Sequence, residues 1–297
     1  MMRQIRRTLV VGAFGLLSCT ADRDERHDRE LSGAIDATDA TNELNDADDV
    51  TEVERNDDAL DDANNAIDST AGRLALYCRG DAVAVEAQID GMLATLSIDE
   101  KAALMHGDTT MASNNIWPMR GLPERDIPGL VMSDGPRGVN HRLNSVGATA
   151  FPVAAMRGAT WDTNLERRVG EVMAREARAI GAHVLLAPTM NLLRHPRWGR
   201  AQETYGEDPW HVGSMAVAFV EGVQSQSVIA VAKHFALNSI EDTRFEVDVQ
   251  LDERALREIY LPHFRRVVRD ASVAGIMTAY NQVNGAYCAE NAPLVRE

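Results

Sequence analysis

From Leu74 to the C-terminus, short apolar runs alternate with longer stretches of helical spacing, and this alternation limits the chain to folds built around a parallel sheet. Residues 127–133 (IPGLVMS) read as a strand that ends at Asp134, and residues 151–158 as a second strand. Residues 164–180 have Leu165, Val169, Val172, Met173 and Ile180 at helical spacing with Arg and Glu between them, and Asp162 or Thr163 is placed to cap that helix. Residues 183–187 form a short apolar strand halted by Pro188. Residues 210–224 read as a helix, and residues 228–232 as a strand that delivers Lys233 and His234. Residues 252–270 form an amphipathic helix with Leu256, Ile259, Tyr260, Phe264, Val267 and Val268 on one face, and residues 275–280 are another strand. A closed barrel and an open doubly wound sheet both show this alternation. Asp134, Lys233-His234 and Tyr280 each fall just past the C-terminal end of a strand, where barrel enzymes keep their chemistry. Open sheets bind ligands there too, usually with a glycine-rich phosphate loop. Neither G-x-G-x-x-G nor G-x-x-x-x-G-K-[ST] occurs, which disfavours a nucleotide-binding protein.

The region before Leu74 is of another kind. Arg3, Arg6 and Arg7 precede an apolar or small run from Thr8 to Leu17, too short to span a bilayer, that closes on Leu16-Leu17-Ser18-Cys19. Residues 1–19 thus read as an export signal of bacterial lipoprotein type with Cys19 as the lipidated residue; a plain secretory signal with an incidental cysteine is the alternative. Arg6-Arg7 also permits a twin-arginine route. Residues 20–72 contain no aromatic residue, and residues 20–70 hold 18 Asp/Glu and 4 Arg, nearly all of the net charge of −15. Such a segment cannot bury enough apolar surface to offset its ordering entropy and reads as a disordered acidic linker. Outside residues 20–70 the chain carries 27 acidic and 26 basic residues; residues 73–297 are left as the folded domain, without the basic stripe that nucleic acid requires. The three cysteines (Cys19, Cys78, Cys288) form no C-x-x-C, and the eight histidines no H-E-x-x-H, so neither a bound metal nor a cofactor is expected.

The candidate chemistry lies in the polar residues at the strand ends. Asp134, in Ser-Asp-Gly-Pro-Arg-Gly, has its carboxylate on a tight turn and is able to accept from two vicinal sugar hydroxyls; otherwise it only caps the turn. Lys233 follows an apolar run, where an amine is costly unless it finds acceptors such as a hydroxyl array; otherwise it snorkels to solvent beside a satisfied histidine. Arg200 ends the run His-Pro-Arg-Trp-Gly-Arg, ahead of Glu203 and Tyr205-Gly-Glu-Asp-Pro, and a guanidinium fork there suits hydroxyls or a carboxylate. Arg197, Glu207 and Asp208 in the same loop read as structural. Arg244 and Tyr280 are further candidates, Tyr280 as a donor or as core.

Taken in order, SDGPRGV, HPRWGRAQETYGEDP, AVAKHFALNS and TAYNQVNG resemble the family 3 glycoside hydrolases of the β-glucosidase type, over roughly residues 85–297. The resemblance implies an incomplete TIM-type (β/α)8 barrel with about five of eight strands present. It implies that Asp134, Arg200, Lys233, His234, Arg244 and Tyr280, with Met277 beside them, hold the non-reducing sugar. It also implies retaining hydrolysis of a terminal β-glucosyl or β-xylosyl residue, from an oligosaccharide or an aryl or alkyl β-glucoside. Lys-His-Phe-Ala-Leu-Asn-Ser differs from the K-H-F-P-G-H-G of the branch acting on N-acetylglucosamine, which favours the glucosidase or xylosidase branch. His195 stands where the family usually has Asp. The family's nucleophile is an Asp in G-x-V-x-S-D-W beyond Y-N-x-V-N-G. The only S-D here is Ser133-Asp134, followed by Gly, so the nucleophile and the acid/base are expected downstream of Glu297. Two expectations follow: the 297 residues alone are inactive or poorly soluble, and the rival to an enzyme is a lipid-anchored, non-catalytic carbohydrate-binding fragment.

Overall fold

The structure, a computed structural model, describes residues 82–108, 116–140 and 147–296. The expected signal with Cys19, the acidic linker and Cys78 lie outside the described residues. Helices α1 (Ala82–Thr95) and α2 (Ile98–Ala103) come first, followed by strands β1 (Ile116–Met119) and β2 (Leu130–Asp134). Helix α3 (Ala154–Gly158), helix α4 (Thr163–Ala179), strand β3 (Val184–Leu186), helix α5 (Pro209–Ser225) and strand β4 (Ile229–Phe235) form the centre. The two-residue strand β5 (Asp248–Val249), the single turn α6 (Glu253–Ala255) and helix α7 (Pro262–Arg269) lead to β6 (Gly275–Thr278). The chain closes with β7 (Gln282–Val283), β8 (Ala286–Tyr287) and α8 (Ala292–Arg296).

One sheet has the order β1-β2-β3-β4-β6; β1 is antiparallel to β2 and the other neighbours are parallel. Its side chains alternate between two environments. Leu185, Ala230 and Ala232 face the main core with Met173, Val212, Met215 and Phe219 from α4 and α5. Val184, Leu186 and Val231 face the opposite way, with Met132 and Met277. This is the strand period of two, with helices covering one face. The small sheet β5-β7-β8 packs separately.

The two long central helices start at polar caps. Asp162 accepts from the backbone N–H of Leu165 at the head of α4, and Asp208 from that of His211 at the head of α5, where Pro209 occupies the first turn.

Two expectations are corrected. Residues 151–158 are not a strand: Phe151–Val153 are extended around Pro152, and the Ala/Met run from Ala154 winds into α3. The strand that replaces it in the count of five is β1, antiparallel and unexpected because Pro118 interrupts its pattern. Residues 252–270 are not one helix. A π-helical turn spans Leu256–Tyr260, the Leu261 N–H reaches back to the Leu256 carbonyl, and α7 begins anew at Pro262, which has no N–H to continue the ladder.

Candidate active site

The C-terminal ends of β2, β4 and β6 open on a cavity of about 920 Å³. Asp134 ends β2 and receives two donors: Lys233 Nζ at 3.2 Å on Oδ1 and Trp117 Nε1 at 3.1 Å on Oδ2. Lys233 lies on β4 with a side chain only 3% exposed, whereas that of Asp134 is 34% exposed and reachable from the cavity. His234, next to Lys233, also lines the cavity, because the β4–β6 register slips between Lys233 and Phe235 and leaves His234 out of the ladder. Asn191 clamps the histidine backbone from both sides: its Nδ2 donates to the His234 carbonyl at 2.8 Å, and its Oδ1 accepts the His234 N–H at 3.0 Å.

Arg200 forks onto Glu203 through Nε (2.9 Å) and NH2 (2.6 Å) and turns NH1 to His234 Nε2 at 2.9 Å. Arg244 pairs with Glu241 at 2.5 Å, and its guanidinium carbon lies 4.9 Å from the Phe245 ring and 5.2 Å from the Tyr280 ring. Those two rings are 4.9 Å apart. Three carboxylate–cation pairs therefore ring one cavity: Asp134–Lys233, Glu203–Arg200 and Glu241–Arg244. The formal charges within these pairs cancel, Arg137 lines the cavity as a cation outside them, and donors and acceptors are left over. Lys233 and Arg200 each retain two N–H groups, and Glu241 Oε2 is buried with no hydrogen-bond partner among the described residues.

The proton positions follow from the donor set. A guanidinium only donates, so His234 Nε2 accepts from Arg200, and the ring proton sits on Nδ1 facing Asn191 Oδ1 at 3.2 Å. Burial holds the His234 pKa well below the usual imidazole value, and the nearby charges of Arg200, Lys233 and Arg244 push it the same way. Burial also lowers Lys233, opposed by Asp134. Burial acts to lower Arg200 as well, but Glu203, with Glu241 and Asp134, together outweigh it and the net shift is upward. Among the described residues no three His, Cys, Asp or Glu side chains are grouped to hold a metal ion.

The model of the glycosyl hydrolase family 3 N-terminal domain matches residues 106–297. The chain belongs to glycosyl hydrolase family 3. Two similar proteins are β-glucosidase B of Emericella nidulans, 40% identical over 213 residues, and a β-glucosidase of Rhizobium radiobacter, 40% identical over 206. The alignments cover 71% and 68% of this chain but 24% of each relative. The chain thus spans about a quarter of the length of the curated relatives it matches. The solved structure of β-glucosidase 3B from Thermotoga neapolitana in complex with α-D-glucose is 39% identical, with a TM-score of 0.66 over 70% of this chain and 31% of that one. The family 3 N-terminal domain is a (β/α)8-type fold, and the five-stranded sheet is consistent with part of it.

All seven residues that the motifs single out (Asp134, Arg200, Lys233, His234, Arg244, Met277 and Tyr280) line the cavity. Asp208 is the cap of α5, a structural role. Sequence reading missed Trp117, which sits on the unexpected β1, and Asn191, which follows Pro188 in a run read only as a strand terminus. Glu203 was noted only as a charge near Arg200 and Glu241 was not singled out, although the i,i+3 spacing of Arg200–Glu203 and Glu241–Arg244 was available as a signal.

Proposed function

We propose that this chain supplies the sugar-binding subsite of a family 3 enzyme that hydrolyses terminal, non-reducing β-D-glucosyl or β-xylosyl residues with retention. The observation that supports it best is the pairing of charge in the cavity, where three of the four lining cations sit on carboxylates and Arg137 stands outside the pairs. A phosphate site gathers several unpaired cations, whereas here a single guanidinium, Arg137, is left outside the pairs. Three neutralised pairs with spare donors, spare acceptors and an aromatic edge suit an uncharged ring of hydroxyls. In this reading the Asp134 carboxylate accepts from vicinal hydroxyls, and Lys233, Arg200 and Arg244 donate to them. The His234 imidazole buttresses Arg200, while Met277 and Tyr280 close the apolar side. These contacts tighten as the ring flattens toward the oxocarbenium-like state. The two carboxyl groups that a retaining glycosidase sets about 5 Å apart are proposed to lie in sequence beyond Glu297.

Calorimetric titration with D-glucose and D-xylose tests the binding half. The chain is expected to bind glucose, and Asp134→Ala to weaken it at least tenfold; a parent chain indifferent to both sugars defeats the reading. The catalytic half is tested by the coding sequence past codon 297. An open frame with S-D-W within roughly forty codons, the interval the family pattern implies, and turnover of a chromogenic β-glucoside by the extended product are expected. Sugar binding by a chain closed by a stop codon, with no turnover, would favour a non-catalytic binder. We also infer export and lipid anchoring at Cys19, from the apolar run and Leu-Leu-Ser-Cys that close residues 1–19. Labelling with radioactive palmitate, abolished in Cys19→Ser, is the expected result.

A further inference from the structure

Glu166 has no side-chain exposure and lies on α4, on the face turned into the protein. Both of its oxygens are engaged: Arg157 Nε donates to Oε2 at 2.9 Å and the Tyr205 hydroxyl to Oε1 at 2.7 Å. Arg157 and Tyr205 are themselves buried. None of the three lines the cavity. Arg157 uses its remaining arms on backbone, NH1 on the Pro152 carbonyl at 2.5 Å and NH2 on the Pro136 carbonyl at 3.1 Å. Burial raises the Tyr205 hydroxyl well above its ordinary pKa, and Glu166 adds to this, so the hydroxyl stays a donor.

A buried ionic cluster is often no more stabilising than a well-packed apolar one of the same volume, so its worth lies in what it orients. The two ends of this cluster are informative. Pro136 is two residues past Asp134, in the turn that aims the carboxylate. That turn is fixed from its other side by β3: a Cβ on Gly135 would meet Leu185 Cδ1 at 2.7 Å. Tyr205 is two residues past Glu203, which holds Arg200. One cluster therefore ties together two loops that both line the cavity, although α3 and α4 contribute no ion pair to it.

We infer that Arg157, Glu166 and Tyr205 form a positioning unit that sets the Asp134 turn relative to the Arg200–Glu203 loop and thereby determines how tightly the cavity holds a sugar. The inference rests on the proposed sugar-binding role. Arg157 is the central member, because its three arms reach α4, the Pro152 carbonyl and the Asp134 turn at once. A lysine in its place retains a charge for Glu166 but cannot make the three-way fork.

The test is calorimetric titration of the full chain with D-glucose, alongside thermal unfolding, for the parent, Arg157→Lys, Tyr205→Phe and the double variant Arg157→Leu/Glu166→Leu. The double variant removes both charges and is expected to unfold near the parent midpoint while its Kd rises at least tenfold. Arg157→Lys is expected to raise Kd by a similar factor, and Tyr205→Phe by less. Calorimetry separates a change in Kd from a loss of folded sites, which lowers only the stoichiometry. An unchanged Kd in the folded variants, with or without fewer sites, overturns the positioning role and leaves the cluster purely structural. If the double variant does not fold, the two single variants decide by the same criterion. Absence of glucose binding by the parent would instead count against the proposed function.

Discussion

His234 shows how far single side chains determine this site. Its two ring nitrogens meet partners of opposite character, Arg200 and Asn191, so only the neutral tautomer satisfies both. His183 and His263 are also depressed by burial, His263 to about 3. A native imidazole whose pKa lies below the unfolded value of about 6.5 lets the unfolded chain take up the proton first. Stability is therefore fully present above about pH 6.5 and falls as pH drops below it, by at most about 1.4 kcal/mol per pH unit for each histidine. Thermal midpoints should be flat near pH 8 and decline between pH 6.5 and 5, before the carboxylates titrate; a midpoint that rises on acidification contradicts this. Asp134→Ala tests the neighbouring pair. Removing the carboxylate strands the buried Lys233 ammonium and is expected to cost about 2–3 kcal/mol in urea unfolding, with less loss in Asp134→Asn, which still accepts one hydrogen bond. At this scale the motifs were highly legible, because a charged residue just past an apolar strand has few places to go. Glu166 was not. Its helix reads as Arg and Glu between apolar residues, and nothing in a 3.6-residue period separates a glutamate in water from one paired with a buried arginine.

Elements were legible where one physical preference dominated. Helix α4 was read to within about a residue because its apolar face and its Asp162 cap agree. The expected strand at 151–158 failed because short apolar runs have no period of their own, and Pro152 governs three residues while alanines govern the rest. The expected single helix over 252–270 failed because its apolar face continues past a proline that its backbone cannot accommodate. What no pattern indicated is how closely α4 and α5 approach. A Cβ on Gly222 would stand 2.1 Å from the Arg167 carbonyl oxygen, and one on Gly170 would stand 2.6 Å from that of Phe219. Both obstacles are backbone, which cannot rotate away. Gly222→Ala is therefore expected to destabilise by about 1–3 kcal/mol despite the better helix propensity of alanine. Gly91→Ala in α1, where a Cβ meets nothing within 4 Å, is the control and should gain about 0.5–1 kcal/mol. Denaturant unfolding of the two variants should move in opposite directions; parallel shifts would mean that propensity rather than contact decides.

At the scale of the whole molecule, the class of fold was legible in the alternation of strand and helix, but the two ends of the sheet were not. They differ in a way that has consequences. At one end β1 is short, contains Pro118, and has its outer side bridged by Gly107 to Met119 and by the Asp108 N–H to the Pro118 carbonyl. Proline and a covering segment are the means by which proteins keep an edge from recruiting other strands. At the other end, β6 pairs with β4 and, among the described residues, with no second strand. Its four residues Gly-Ile-Met-Thr carry no charge and no proline. The sheet face with Val184, Leu186 and Val231 carries a smaller apolar cluster than the opposite face beneath α4 and α5, although these three side chains are buried. An uncharged, proline-free edge without a second strand is a template for another copy of itself. The 297-residue polypeptide is therefore expected to associate with increasing concentration, seen by light scattering coupled to size-exclusion chromatography. Thr278→Lys, which places a charge on the β6 edge, should shift it toward monomer without changing the β1 end. A polypeptide that remains monomeric at all concentrations, or whose association ignores Thr278→Lys, would mean that the β6 edge is not what draws the copies together.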